Sequence, residues 1–194
     1  MINDNIERCP WPLSGGEIMI RYHDEEWGAP AHTDAQHFEF LVLEAFQAGL
    51  SWLTVLRKRA AFREAFADFD AAAVAAFDDL RIKELLSNPG IIRNRLKIRA
   101  AVNNAGRFLE VQAEFGSFDA YLWHFTRGKP VIGGWTSLAE LPARTGLSDQ
   151  ISADLKRRGF KFVGSTIIYA HLQAVGIVND HLVNCFRFKE LTGT

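Results

Sequence analysis

Cysteine is scarce in this chain of 194 residues, present only as Cys9 and Cys185, and proline is little commoner at six. Two cysteines exclude the dense disulfide framework of a small secreted scaffold. In a reducing compartment they are left to share a metal or to be buried as thiols. A surplus of one charge is also missing. The 22 lysines and arginines nearly balance 23 aspartates and glutamates, for a formal net charge of -1. No overall field therefore draws in a polyanion, and contact with nucleic acid would need local clusters. No run approaches the roughly 20 apolar residues that cross a bilayer, and the opening MINDNIERCP has neither the basic start nor the apolar stretch of a secretion signal. A cytoplasmic protein with no membrane partner is the expectation.

The residues that are plentiful favour helices. Hydrophobic residues make up 48% of the chain, alanine-rich stretches such as 71–76 recur, and alternating patterns are few, which predicts an all-α fold. No repeat or linker divides the sequence, so a single globular unit over 1–194 is expected. Thr33 and Gln36 fit a capping box, and Phe38, Leu41, Val42 and Ala45 then repeat at helical spacing up to about Gly49. Further helices are expected over about 51–67 with a break, from Asp70, and over 78–86, 91–110 and 117–125. Ser137 with Glu140 offers another capping box, Ser148 can cap a helix running to Arg158, and helices over 164–175 and 180–188 complete the set. The glycine-containing stretch 127–136 reads as a loop.

Four residues are candidate metal ligands. Cys9 and His23 lie near the start, and His181 and Cys185 are four apart near the end, a spacing that puts both on one face if that segment is helical. Together they would form a closed tetrahedral set, structural rather than catalytic, clipping the two ends of the chain together. The same residues could instead be two buried thiols and two core histidines.

Glu44 falls within the apolar helical stretch Leu41-Val42-Leu43-Glu44-Ala45-Phe46. A buried carboxylate is costly unless a cation or hydrogen-bond donor meets it. Glu44 is therefore a ligand-recognition group, half of an internal ion pair, or a residue at the solvent edge of the helix. Trp11, Tyr22, Trp27 and Trp52 crowd the same part of the chain. Rings beside a carboxylate suit a flat cation, although any one tryptophan serves equally well in an ordinary core.

Asn88-Pro89-Gly90 is a turn between two helical stretches, followed by Arg93, Arg95, Lys97 and Arg99. A glycine there lets backbone N–H groups approach a phosphate at the positive end of the second helix. A second basic cluster runs from Lys156 and Arg157 through Arg158 to Lys161. Both could hold a DNA backbone without reading bases, or simply be solvated faces.

In combination these residues resemble the 3-methyladenine DNA glycosylase I family, a branch of the helix-hairpin-helix glycosylases. The segments that carry the resemblance are Glu7-Arg8-Cys9-Pro10-Trp11, Tyr22-His23-Asp24-Glu25-Glu26-Trp27-Gly28, Gln47-Ala48-Gly49-Leu50-Ser51-Trp52, Gly90-Ile91-Ile92-Arg93, 156–164 and Asn179-Asp180-His181, in that order from about Glu7 to Cys185. The resemblance implies a helix-hairpin-helix glycosylase fold, with the hairpin unit at about 80–106. It also implies termini stapled by a structural zinc, over 7–25 and 178–188, on Cys9, His23, His181 and Cys185. The base pocket would hold Glu44 as the catalytic carboxylate with Trp11, Tyr22, Trp27 and Trp52. Gly90, Arg93, Arg95, Lys156, Arg157 and Lys161 would contact DNA. The activity implied is that of a monomeric, monofunctional enzyme releasing 3-methyladenine from alkylated double-stranded DNA. Two departures stand out: Met19, where relatives can carry an aromatic residue, and the bulky Ala45-Phe46 after Glu44. A helical DNA-binding module without catalysis, or a zinc hydrolase using Glu44 as base, are the competing readings.

Overall fold

The computed structural model describes residues 6–193, so residues 1–5 and 194 of the unit expected over 1–194 lie outside the described residues. The fold is mostly helical. In chain order it comprises α1 (Glu17–Glu25), α2 (Asp34–Gln47), α3 (Trp52–Ala65), α4 (Ala71–Ala75), α5 (Asp79–Ser87), α6 (Arg95–Phe115), α7 (Phe118–His124), β1 (Val131–Ile132), α8 (Gly146–Arg157), α9 (Ser165–Ala174), β2 (Val178–Asn179) and α10 (Phe186–Thr192).

α2 is the axle of the molecule. Every residue from His37 to Phe46 is buried, and the helix packs on α3, α6, α7 and α9. A helix that is apolar nearly all round has no solvent face to offer and is driven to the centre. Its charged residues must then be neutralised locally. Glu39 meets this demand by accepting from Arg59 Nε at 2.8 Å and Arg63 Nε at 2.8 Å, both on α3.

Of the three caps expected at Thr33, Ser137 and Ser148, Thr33 holds, and four more helices start beside Ser51, Asp70, Asp78 and Ser117, where the sequence placed them. The side chains of Thr33, Ser51, Asp70, Asp78 and Ser117 each accept a backbone N–H in the first turn of the helix that follows. Four expectations need correction. α6 begins at Arg95 rather than 91, because the Asn94 carboxamide caps the Leu96 and Lys97 N–H groups. α8 is capped by Thr145, with Ser148 as the reciprocal partner three residues on. Glu140 accepts from the N–H and hydroxyl of Thr136 instead of pairing with Ser137. Finally, the chain turns through 180–185 without forming a helix, and α10 starts only at Phe186. The expected loop 127–136 contains β1, which pairs in parallel with β2.

The start of the chain is fastened to its end by backbone contacts. Gly28 N–H donates to the Gln173 carbonyl at 2.9 Å and Ala31 N–H to that of Val175 at 3.0 Å. Gly176 has a φ of +69°, and a Cβ there would lie 2.3 Å from the Ala29 carbonyl carbon, so only glycine fits.

α9 carries His171 into the core, 1% exposed, with neither ring nitrogen partnered among the described residues. Burial drives its pKa down to about 3, and the charge of neighbouring His37 adds to the shift. His37 itself donates from Nε2 to the Asp119 carboxylate at 2.9 Å. An unfolded histidine titrates near 6.5, so on acidification the unfolded chain takes up the proton first. The His171 contribution to stability is then complete above about pH 6.5 and falls by up to roughly 1.4 kcal/mol per pH unit below it. Replacing His171 with leucine should flatten this acid limb and raise the unfolding free energy by about 2 kcal/mol at pH 5. Urea titrations across pH 4–7 check it, and an unchanged slope would assign the titration elsewhere.

Candidate active site and metal-ligand cluster

The N-terminal turn at Trp11–Gly15, α1, the end of α2, the start of α3 and α9 enclose a cavity of about 360 Å³, within the range of small-ligand sites. Trp11, Tyr22, Trp27 and Trp52 form its aromatic side. Tyr22 sits 5.3 Å from Trp52 and 6.3 Å from Trp11 between ring centroids, and Trp11 meets Trp27 edge-on at 5.1 Å. The indole N–H groups of Trp11 and Trp52 have no partner among the described residues.

Glu44 belongs to the same wall. Its side is set by helical phase: Leu41 and Leu43 face the core, while Glu44 and Gln47, one turn apart, face the cavity. The residue is 4% exposed and desolvation alone pushes its carboxyl pKa up to about 8. No hydrogen bond or ion pair joins it to another described residue, in contrast to Glu39 on the same helix. Tyr22 senses it: burial first, and then the charge of Glu44, hold its phenol well above the ordinary range. An unpaired buried carboxylate among rings is an arrangement made for a flat, cationic or hydrogen-donating guest.

The expected pocket residues thus come together. Four further ones were not legible: Gln47, Thr166, Ala170 and Gln173, with Ile167 and Leu141 beside them. Thr166, Ala170 and Gln173 form an i, i+4, i+7 stripe on α9, yet nothing in that spacing separates a cavity wall from a solvent face. Met19 does line the cavity. Ala45 and Phe46 do not; Phe46 packs on Phe62 at 4.8 Å and Phe66 at 5.8 Å, away from it.

Beside the aromatic wall lies a fully buried cluster of Cys9, His23, His181 and Cys185, whose donor atoms are all within 4.8 Å of one another. Cys185 Sγ is 3.5 Å from His23 Nε2 and 3.5 Å from His181 Nδ1, and Cys9 Sγ is 3.7 Å from His181 Nδ1. Bond lengths of about 2.3 Å to sulfur and 2.0–2.1 Å to nitrogen around a tetrahedral ion give edges of about 3.6 Å, so the donors fit a metal. The remote ring nitrogens are both engaged. His23 Nδ1 pairs with Asp24 at 2.7 Å, and His181 Nε2 with the Trp27 carbonyl at 2.8 Å, which turns the other nitrogens inward. Asp24 is in turn held by Arg8 at 2.8 Å. His181 and Cys185 converge through the turn before α10 and not along a helix face.

The basic residues divide. Arg93, Arg95, Lys156 and Lys161 are exposed, and none of their side chains is paired among the described residues. Arg157 is exposed and paired with Asp154. Three expectations change. Lys97 is 6% exposed and donates inward to the carbonyls of Phe46 at 2.9 Å and Ala48 at 2.6 Å, closing the end of α2. Arg99 reaches Asp79 at 3.2 Å. The Gly90 N–H is taken by Asn88 Oδ1 at 2.8 Å; the glycine serves close packing, since a Cβ would sit 2.9 Å from that of Ala61. Arg158, within the second cluster, binds Glu114 and Asp154 and stacks on Phe115. Asn103 and Asn104 of α6 hold the turn at Gly159 and Lys161, so one helix carries both exposed basic segments.

Residues 11–188 match the model of the methyladenine glycosylase family. The chain is 44% identical over 180 residues to DNA-3-methyladenine glycosylase 1 of Escherichia coli strain K12, covering 93% of this chain and 96% of that protein. It is 42% identical over 178 residues to the DNA-3-methyladenine glycosylase of Haemophilus influenzae, with 92% and 96% covered. Among solved structures, a 3-methyladenine DNA glycosylase I superposes with a TM-score of 0.89 at 45% identity, covering 93% of this chain and 98% of that one. A variant of 3-methyladenine DNA glycosylase I in complex with 3-methyladenine superposes with a TM-score of 0.87 at 35% identity, covering 90% and 95%. Agreement in sequence and backbone along nearly the whole length means that the chain belongs to the methyladenine glycosylase family.

Proposed function

We propose that this chain is a base-excision repair glycosylase that hydrolyses the N-glycosidic bond of 3-methyladenine in alkylated double-stranded DNA and leaves an abasic site. The observation that carries the reading is the unpaired carboxylate of Glu44 inside a ring-lined cavity. A duplex hides its bases, so the target nucleotide must turn out of the stack into the cavity. The exposed Arg93, Arg95, Lys156, Arg157 and Lys161, with the turn at Gly90 between α5 and α6 as a helix-hairpin-helix element, would hold the phosphates. The Gly49-Leu50 corner, where Leu50 is 40% exposed, would enter the vacated stack.

3-Methyladenine within DNA is already cationic, and its glycosidic bond is correspondingly weak. Recognition of that charge is then the main task. In the empty cavity a carboxyl with a pKa of about 8 is mostly protonated at neutral pH. A cationic base reverses the balance, so Glu44 ionises, releases a proton and accepts hydrogen bonds from the base, while Tyr22, Trp11, Trp27 and Trp52 pack on its faces. Water attacks C1′ as the base departs. The residues lining the cavity include no lysine, which supports a hydrolase that forms no Schiff base and does not cut the strand.

The Cys9, His23, His181 and Cys185 cluster is read as a structural zinc site. Four protein donors leave no open position for catalysis, which disfavours a zinc hydrolase. The chain is taken as one folding unit, on the strength of a core cluster that runs from Cys9 to Cys185. It is taken to act as a monomer in the cytoplasm; no helix among the described residues is long and apolar enough to cross a membrane.

Glu44→Gln should lower excision of 3-methyladenine, measured by chromatography of bases released from methylated DNA. The ionised form is the competent one, so wild-type kcat/KM should climb from acid pH towards about 8 and the variant should lose that limb. The same substitution should raise stability by about 1–3 kcal/mol at pH 7, because the penalty on a carboxyl raised from 4.5 grows as pH rises. Wild-type excision by Glu44→Gln would remove this residue from the site. Cys185→Ala should lose bound zinc, measured by atomic absorption, and several kcal/mol of stability; full zinc content would reject the ligand set. Arg93→Ala with Arg95→Ala should weaken DNA binding equally across sequences and reduce its salt slope by about 1–2; an unaltered slope would clear both residues of phosphate contact.

A further inference from the structure

Gln173 is a polar side chain of the cavity wall whose orientation is dictated from behind. Its amide Nε2 donates to Asp180 Oδ2 at 2.7 Å. Asp180 is 1% exposed and is surrounded by donors. Trp135 Nε1 donates to Oδ1 at 2.7 Å, and the Tyr169 hydroxyl donates to the same Oδ2 that Gln173 uses. A carboxylate only accepts, so the NH₂ end of Gln173 must face it. The carbonyl Oε1 is left over. No donor among the described residues reaches it, and the residue is only half buried, on the cavity side.

This acceptor cannot adapt to its guest. Turning the amide over would set Oε1 against the Asp180 carboxylate and strip Tyr169 and Trp135 of none of their claims on it, so the flipped state is repulsive. We infer that Gln173 is a specificity-determining residue: its carbonyl Oε1 accepts an N–H from the exocyclic amine of the bound adenine and rejects a purine with an oxygen at C6, such as 3-methylguanine. The inference rests on the reading of the Glu44 cavity as the base pocket. Glu44 answers the positive charge, which both alkylated purines share. Gln173 answers the amine, which only adenine has at that position. A rigid acceptor facing a ligand oxygen has no hydrogen to share, and sites of this kind discriminate far better than an apolar wall does.

The test uses two free bases, 3-methyladenine and 3-methylhypoxanthine, which has oxygen at C6. Binding is read by quenching of tryptophan fluorescence in the wild-type enzyme, Gln173→Met and Glu44→Gln. The wild type should prefer 3-methyladenine by about tenfold or more, and Gln173→Met should narrow the preference to within about threefold. Glu44→Gln should weaken both bases while keeping their ratio. Release of 3-methylguanine relative to 3-methyladenine from methylated DNA should rise in Gln173→Met. If the methionine variant does not fold, by far-ultraviolet circular dichroism, Gln173→Asn withdraws the carbonyl from the cavity and should narrow the ratio likewise. A wild-type ratio near one, or an undiminished ratio in the folded variant, overturns the assignment of Gln173 alone. Failure of the wild type to bind either base overturns the pocket reading as well.

Discussion

A buried carboxyl without a partner among the described residues, on the cavity side of the central helix, is the constraint around which the molecule is arranged. Burying Glu44 raises its pKa to about 8, and that cost is sustained by the apolar packing of α2 along its whole circumference. Glu39, on the same helix, shows the ordinary solution: two arginines of α3 neutralise it. At Glu44 the fold withholds that solution and supplies rings and an open cavity instead. Empty, the carboxyl is mostly protonated at neutral pH, and a cationic guest would ionise it.

The metal-ligand cluster and the pocket share their parts. Trp11 follows Cys9 by two residues, and Tyr22 immediately precedes His23. The Trp27 carbonyl receives His181, and the Trp27 ring lies 4.7 Å from that imidazole. Gly28 is pressed against the same ring: a Cβ there would lie 2.9 Å from His181 Cδ2. Fixing the four donors therefore fixes three of the four aromatic walls, and the chemistry of binding can proceed on a frame that does not need to reorganise. On the opposite side, Lys97 ties the start of α6 to the end of α2 next to the Gly49 corner, so the helix bearing Arg95 is joined mechanically to the cavity rim.

Five helix starts were readable from a short polar side chain ahead of a helix-forming run. Caps at Thr33, Ser51, Asp70, Asp78 and Ser117 satisfy backbone N–H groups two or three residues away, and the phase of α2 places Glu44 by simple periodicity. The family motifs added the ligand set and the aromatic residues. Misreadings arose where several nearby polar residues competed for one group, as at Asn88, Asn94 and Thr145, or where a distant partner intervened. Lys97 looked like a solvated charge until two carbonyls from α2 claimed it. Gly90 looked like a phosphate cradle until Asn88 used its N–H. The segment 180–185 turns instead of forming a helix, and through that turn His181 and Cys185 come together with Cys9 and His23.

From its sequence alone this protein is determined to be helical, nearly neutral, and equipped with one carboxylate set in an apolar helix, because these depend on composition and on spacings within a few turns. Only the tertiary structure decided that Glu44 has no partner among the described residues, that α9 contributes Thr166, Ala170 and Gln173 to the cavity, and that Asp180 orients the Gln173 amide. The first two are relations between faces of different helices, and the third depends on how the chain after β2 folds back against α9. They exist only once packing has chosen which faces meet.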